Sequence, residues 1–120
     1  MAARSVKVTV INNSSNPLVD PKGELDHGSW VTWEGDPFFY AQTLDTGYWI
    51  SESDGVMTGT QGKATYACLY GLDLKYVTFY WDNPWDGENS YSADFPSSLK
   101  VTHTSGHGDN AEVTFTVEDA

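Results

Sequence analysis

The chain has 120 residues, a formal net charge of -11 and one cysteine. That length suits a single domain spanning 1–120. One cysteine excludes an internal disulfide framework and a cysteine-rich zinc site, and 17 acidic against 6 basic residues opposes binding to nucleic acid or electrostatic docking on an anionic bilayer.

Hydrophobicity alternates with period two, the signature of half-buried strands with one apolar and one polar face. Val6, Val8 and Val10 share one face of the first run, with Lys7 and Thr9 opposite. The spacing predicts strands over 5–12, 28–34, 38–43, 47–52, 62–70, 74–82, 89–94, 98–104 and 111–118. In the last of these, Val113, Phe115 and Val117 alternate with Thr114 and Thr116. Turn signals separate the runs: Asn12 to Pro17, Asp20-Pro21-Lys22-Gly23, Gly35-Asp36-Pro37, Ser53-Asp54-Gly55, Asn83 to Gly87 and Ser105 to Asp109. No window carries a clean 3.6-residue period. The expected fold is all-β, a single-domain antiparallel β-sandwich with little or no helix. The start of the chain shows no apolar stretch of a secretory leader, so the expectation is a protein made in the cytoplasm, soluble or as an inclusion, that acts outside its producer.

Catalytic chemistry finds little support. Cys68 lies in a strand-like run and reads as a small core hydrophobe. No Gly-x-Ser-x-Gly elbow is present. His103 and His107 flank a glycine-rich turn and read as loop histidines. The acidic loop Asp82 to Glu88 places Pro84 where a helix–loop–helix calcium site needs an oxygen ligand. No enzyme activity, cofactor or metal is expected.

The aromatic residues are the stronger signal. Lys75, Val77, Phe79 and Trp81 share one face of a strand, and Tyr76 and Tyr80 the other, so Trp81 falls on the core side. Trp85 lies in the turn beyond, where no pleat turns it inward. One of Trp30 and Trp33 tends to face out. Exposed Trp and Tyr rings suit a protein interface or the headgroup layer of a bilayer.

Phe79-Tyr80-Trp81-Asp82-Asn83-Pro84-Trp85 resembles the Tyr-Trp-Asp-x-Pro-Trp signature of the aegerolysin family. Ser51 to Gly62, the opening Ser5 to Asn13, Leu25 to Trp30 and the tail around Val113-Thr114-Phe115-Thr116 are similar to one branch, the small component of bacterial binary insecticidal toxins active on beetle larvae. The resemblance covers nearly the whole chain, with an insertion around 34–49. It implies a β-sandwich without enzyme activity that binds a membrane lipid or receptor. A larger pore-forming partner, perforin-like or lectin-like, would then be recruited; a second copy of the chain is a further candidate partner. It also implies lipid contact near Trp30, Trp81 and Trp85. The full candidate lipid-binding set is Trp30, Trp33, Tyr80, Trp81, Trp85 and Tyr91. Three positions depart from the fungal members: Met57 stands near their headgroup-binding acid, Val6 near an N-terminal tryptophan, and Asn83 at the signature cysteine. A rival reading is a carbohydrate-binding sandwich, since aromatic platforms beside Asp and Asn loops also suit sugars. No strand appears spare for a membrane-piercing hairpin, which assigns perforation to the partner.

Overall fold

A computed structural model describes residues 3–31 and 45–120. Nine strands occur among them: β1 (Ser5–Asn12), β2 (Val19–His27), β3 (Ser29–Trp30), β4 (Asp45–Glu52), β5 (Thr60–Tyr70), β6 (Asp73–Asn83), β7 (Ser90–Asp94), β8 (Leu99–His103) and β9 (Asn110–Asp119). They form two sheets, ordered β3-β4-β1-β9-β8 and β2-β5-β6-β7. The sheets pack face to face as a β-sandwich, and no helix occurs among the described residues. The strand expected at 38–43, and 32–34 of the strand expected at 28–34, lie outside the described residues.

Alternation builds the core. Val6, Val8 and Val10 of β1 and Val113, Phe115 and Val117 of β9 are fully or almost fully buried, as are Val77, Phe79 and Trp81 of β6. Between the sheets, Trp49, Tyr66, Phe79, Trp81 and Phe115 make a continuous aromatic cluster. Its ring centroids lie 5.0 Å apart for Phe79–Phe115 and 5.6 Å apart for Trp49–Trp81. Offset and tilted rings at these separations add attraction beyond the area they bury.

Two features depart from the expectation. β1 and β9 pair in parallel, Ser5 opposite Asn110 and Asn12 opposite Val117, whereas every other pairing among the described residues is antiparallel. Parallel neighbours need a long crossover, and here the whole intervening chain supplies it. The sequence places no strand over 19–27 and reads Asp20-Pro21-Lys22-Gly23 as a turn, whereas this segment is the edge strand β2. The turn residues instead make an irregularity: Asp20 has φ 53°, and the register with β5 shifts between Val19 and Lys22. An edge strand tolerates this, because Pro21 needs to donate no hydrogen bond on an open side.

The β5–β6 hairpin is longer than its neighbours on the β7 side. β7 leaves β6 at the Thr78–Asp94 pair, so the β6 edge over 73–77 has no strand beside it among the described residues. The hairpin therefore has an overhang that the alternation did not reveal.

Candidate membrane-binding surface

One end of the sandwich gathers the loops that follow β4 and β6, the junction of β2 and β3, the start of β1 and the segment between β8 and β9. Register places them together, because Ser5 lies opposite both Glu52 and Asn110, and Glu52 also opposite Ser29.

A buried polar network stitches the two sheets at this end. The Asn83 amide, 1% exposed, donates from Nδ2 to the carbonyls of Ser5 (3.0 Å), Asp109 (2.9 Å) and Gly108 (3.3 Å). The Thr60 and Ser51 hydroxyls are 2.8 Å apart, and Trp81 donates its indole N–H to Ser51 Oγ at 2.9 Å. Buried polar groups require such partners, so this end is held as one unit. Gly59 allows the loops to close up, since a Cβ there would fall 2.5 Å from Asn83 O and 2.7 Å from Pro84 Cα.

Trp85 stands on this platform. Its ring is 36% exposed and lines three open clefts of about 350, 470 and 580 Å³. The Arg4 guanidinium lies 4.4 Å from the ring centroid, donates to Trp85 O at 3.0 Å, and pairs with Asp109 at 3.3 Å. A cation over an indole face attracts the ring electrostatically, so Arg4 props the indole while its own charge is matched.

The neighbouring loop adds apolar groups. Thr58 Oγ1 accepts from the Gly55 amide at 3.0 Å and donates to Gly55 O at 2.8 Å, closing a tight turn. That turn pushes out Val56 (90% exposed) and Met57 (65%). Met57 holds φ 58°, a left-handed conformation that disfavours a side chain. Val31 is also exposed nearby in sequence to Trp30. Large apolar groups held outward by hydrogen-bonded turns, with acidic Asp54, Asp86 and Glu88 exposed around them, suit a neutral or zwitterionic apolar boundary rather than an anionic one.

The predicted aromatic residues divide. Trp85 and Trp30 lie at this end, Trp30 half-buried with its ring centroid 5.9 Å from that of Trp81. Trp81 is corrected to the core: at 1% exposure its ring supports Trp30 and Trp49 and reaches no surface, because the face it shares with Val77 and Phe79 is the inner one. Tyr80 projects on the outer face of the second sheet and donates to Asp94 Oδ2 at 2.9 Å. Tyr91 is half-buried, its ring centroid 6.2 Å from that of His103, and burial pushes its phenol up. Trp33 lies outside the described residues. Val56 and Arg4 are not among the residues singled out in the sequence, and Met57 enters there only as a departure near the headgroup-binding acid of the fungal members; two adjacent large apolar residues directly after the Asp54-Gly55 turn are the available signal. Among the described residues, no three His, Cys, Asp or Glu side chains group to hold a metal ion.

Asp82 lines the cleft of about 350 Å³ beside Trp85. Burial pushes its carboxyl above the ordinary value, His27 pulls it down, and Asp26 pushes it further up. A raised folded-state value means the folded chain binds that proton more tightly than the unfolded chain, so ionised Asp82 penalises the fold at neutral pH and the penalty fades as pH falls through the raised value. Asp82→Asn is therefore expected to raise the urea midpoint at pH 7, with the gain shrinking on acidification; a gain that grows at low pH would contradict this origin.

The fold and this surface define a β-sandwich that presents apolar side chains from loops at one end. A family model described as aegerolysin matches residues 45–119, more than half of the chain, which therefore belongs to the aegerolysin family. The family binds membrane lipids and is often linked to pore-forming toxins. No curated protein matches the chain.

Proposed function

We propose that this chain is the small membrane- or receptor-binding component of a two-protein insecticidal pore-forming toxin. It targets gut-cell membranes from outside and recruits a larger pore-forming partner, perforin-like or lectin-like. The observation that carries the membrane role is the outward projection of Val56, Met57 and Trp85 from one hydrogen-bonded loop end in a family that binds membrane lipids. The insecticidal assignment rests on the resemblance of Ser5 to Asn13 and Ser51 to Gly62 to the binary-toxin branch.

The proposed division of labour is supported by how the strands are used. A membrane-spanning strand needs about 9–11 residues, and the described strands of that length, such as β5 and β6, are paired with each other in the sandwich. No helix among the described residues is long and apolar enough to cross a membrane. Purified protein should therefore float with neutral sterol-containing vesicles yet release little trapped dye. Efficient release by this chain without a second protein would end the two-component reading, and absence of flotation would end the membrane reading.

A cleft of about 600 Å³ on the second sheet supports a second reading. Asp26, Tyr80, Asp82, Ser92 and Asp94 line it, a mixture of carboxylates, hydroxyls and an aromatic ring that suits a sugar. Saturable binding on a glycan array, without vesicle binding, would favour it.

A further inference from the structure

The end of the molecule opposite Trp85 carries a second apolar surface. Leu69 and Leu74 lie directly opposite one another in the β5–β6 hairpin, and both are exposed, as is Tyr76. Leu72, at the turn, is 101% exposed. Period-two geometry puts Leu69, Leu74 and Tyr76 on the outer face, away from Val77 and the core. Beside them runs the β6 edge over 73–77, which has no strand alongside it among the described residues. An apolar open edge of this kind is a template for another strand.

The order of side chains along this edge identifies that strand. Leu72-Asp73-Leu74-Lys75-Tyr76 reads apolar, acid, apolar, base, apolar. In antiparallel pairing about a two-fold axis at Leu74, Leu74 meets its own counterpart. Asp73 then meets Lys75 of the second copy, Lys75 meets Asp73, and Leu72 meets Tyr76. Directly opposed unlike charges and apolar pairs both favour a ladder, and a two-fold interface requires this self-complementarity. We propose that a second copy of this chain docks here, joining the two β6 edges over 73–75 into one continuous sheet, with Leu72 at each turn against Tyr76 of the other copy. Opposed residues share a face, so the leucines and tyrosines of both copies merge into one apolar stripe, and all four charges lie on the other face.

The global charge does not veto this contact. Each chain carries -11, but Asp73 and Lys75 make the paired segment neutral. Antiparallel overlap at the hairpin tips sends the two bodies in opposite directions, well beyond the roughly 8 Å over which charges act at physiological ionic strength. Both Trp85 ends remain free at the far ends of the pair, so the inference stands apart from the membrane reading.

Charge reversal tests it. Sedimentation of the full chain at up to about 1 mM, the weak end of specific association, should show a monomer–dimer equilibrium. Asp73→Lys alone and Lys75→Asp alone should each weaken self-association about tenfold or more by opposing like charges. The double variant Asp73→Lys/Lys75→Asp should restore it, and mixing the two single variants should yield a heterodimer. Both positions of the charge reversal are exposed, and circular dichroism checks that the folds match. A wild-type chain that stays monomeric throughout overturns the inference, as does a dimer indifferent to these changes. Loss of vesicle flotation in Leu72→Ser/Leu74→Ser, with the wild type monomeric, would reassign the tip to lipid.

Discussion

Replacing Val56, Met57 and Trp85 together with serine should lower partitioning onto neutral vesicles by about 100- to 1,000-fold, while leaving the sandwich folded. The wild-type loops hold Val56 and Met57 in water and leave Trp85 about one-third exposed, so transfer into a bilayer interface recovers hydrophobic free energy without drawing on the residues between the sheets. Full burial of one such side chain contributes about 1.5–3 kcal/mol. Shallow insertion of three recovers a fraction of that, about 3–4 kcal/mol in all, and each 1.4 kcal/mol is tenfold in affinity. The fold should survive because Val56 and Met57 touch little of the core and the hydrogen bonds of Asn83, Thr60 and Ser51 are untouched. Flotation measures the partitioning and a urea titration the fold. Unchanged flotation with an unchanged urea midpoint would remove this end from the binding surface. Arg4→Ala offers a finer gradation: it removes the cation over Trp85 and the pair with Asp109, so flotation should weaken by a smaller factor than in the triple variant.

Trp81→Ala should produce the opposite pattern, loss of the fold rather than loss of binding alone. The ring is buried between the sheets, 5.6 Å from Trp49 and 5.9 Å from Trp30 between centroids. Its removal leaves a cavity and deprives Ser51 of its indole donor. Large aromatic-to-alanine changes in cores cost about 3–5 kcal/mol, and the whole stability of a domain is about 5–15 kcal/mol. The variant is expected to be largely unfolded in mild urea where the wild type is native. Trp81→Phe should recover most of the packing but not the hydrogen bond. A Trp81→Ala chain with a wild-type midpoint would mean that the ring does not support the sheet interface.

The two predictions separate residues that the sequence presents as one motif. Trp81 and Trp85 stand four apart in Phe79 to Trp85, and the resemblance attached both to lipid. The alternation already placed Trp81 with Val77 and Phe79, and the structure agrees with that local reading over the motif-level one. Trp85 lies past the last ladder pair of β6, where no pleat constrains it. The outward course of Trp85, Val56 and Met57 depends on Gly59 admitting the 84–88 turn, on Thr58 closing its own turn, and on Arg4 arriving from the start of the chain. None of these contacts leaves a periodic trace.

β2 was hidden for a related reason. Asp, Pro and Gly in succession carry the same local preferences whether they reverse the chain or kink an edge strand. Only the neighbour, β5 with its shifted register, decides between them. The parallel pairing of β1 with β9 is likewise invisible locally, because alternation states which side chains share a face and nothing about which strand lies alongside. The overhang of β6 depends on where β7 departs, a property of two strands at once.

By itself the sequence determined the all-β class, the inner faces of β1, β6 and β9, and a motif placing indoles near the end of β6. Each follows from side-chain period and local backbone preference, which act within a few residues. Tertiary structure alone decided which indole meets solvent, which strands are neighbours, and where an edge stays open. Those outcomes depend on contacts between segments as distant as Arg4 and Trp85, whose meeting no local rule encodes.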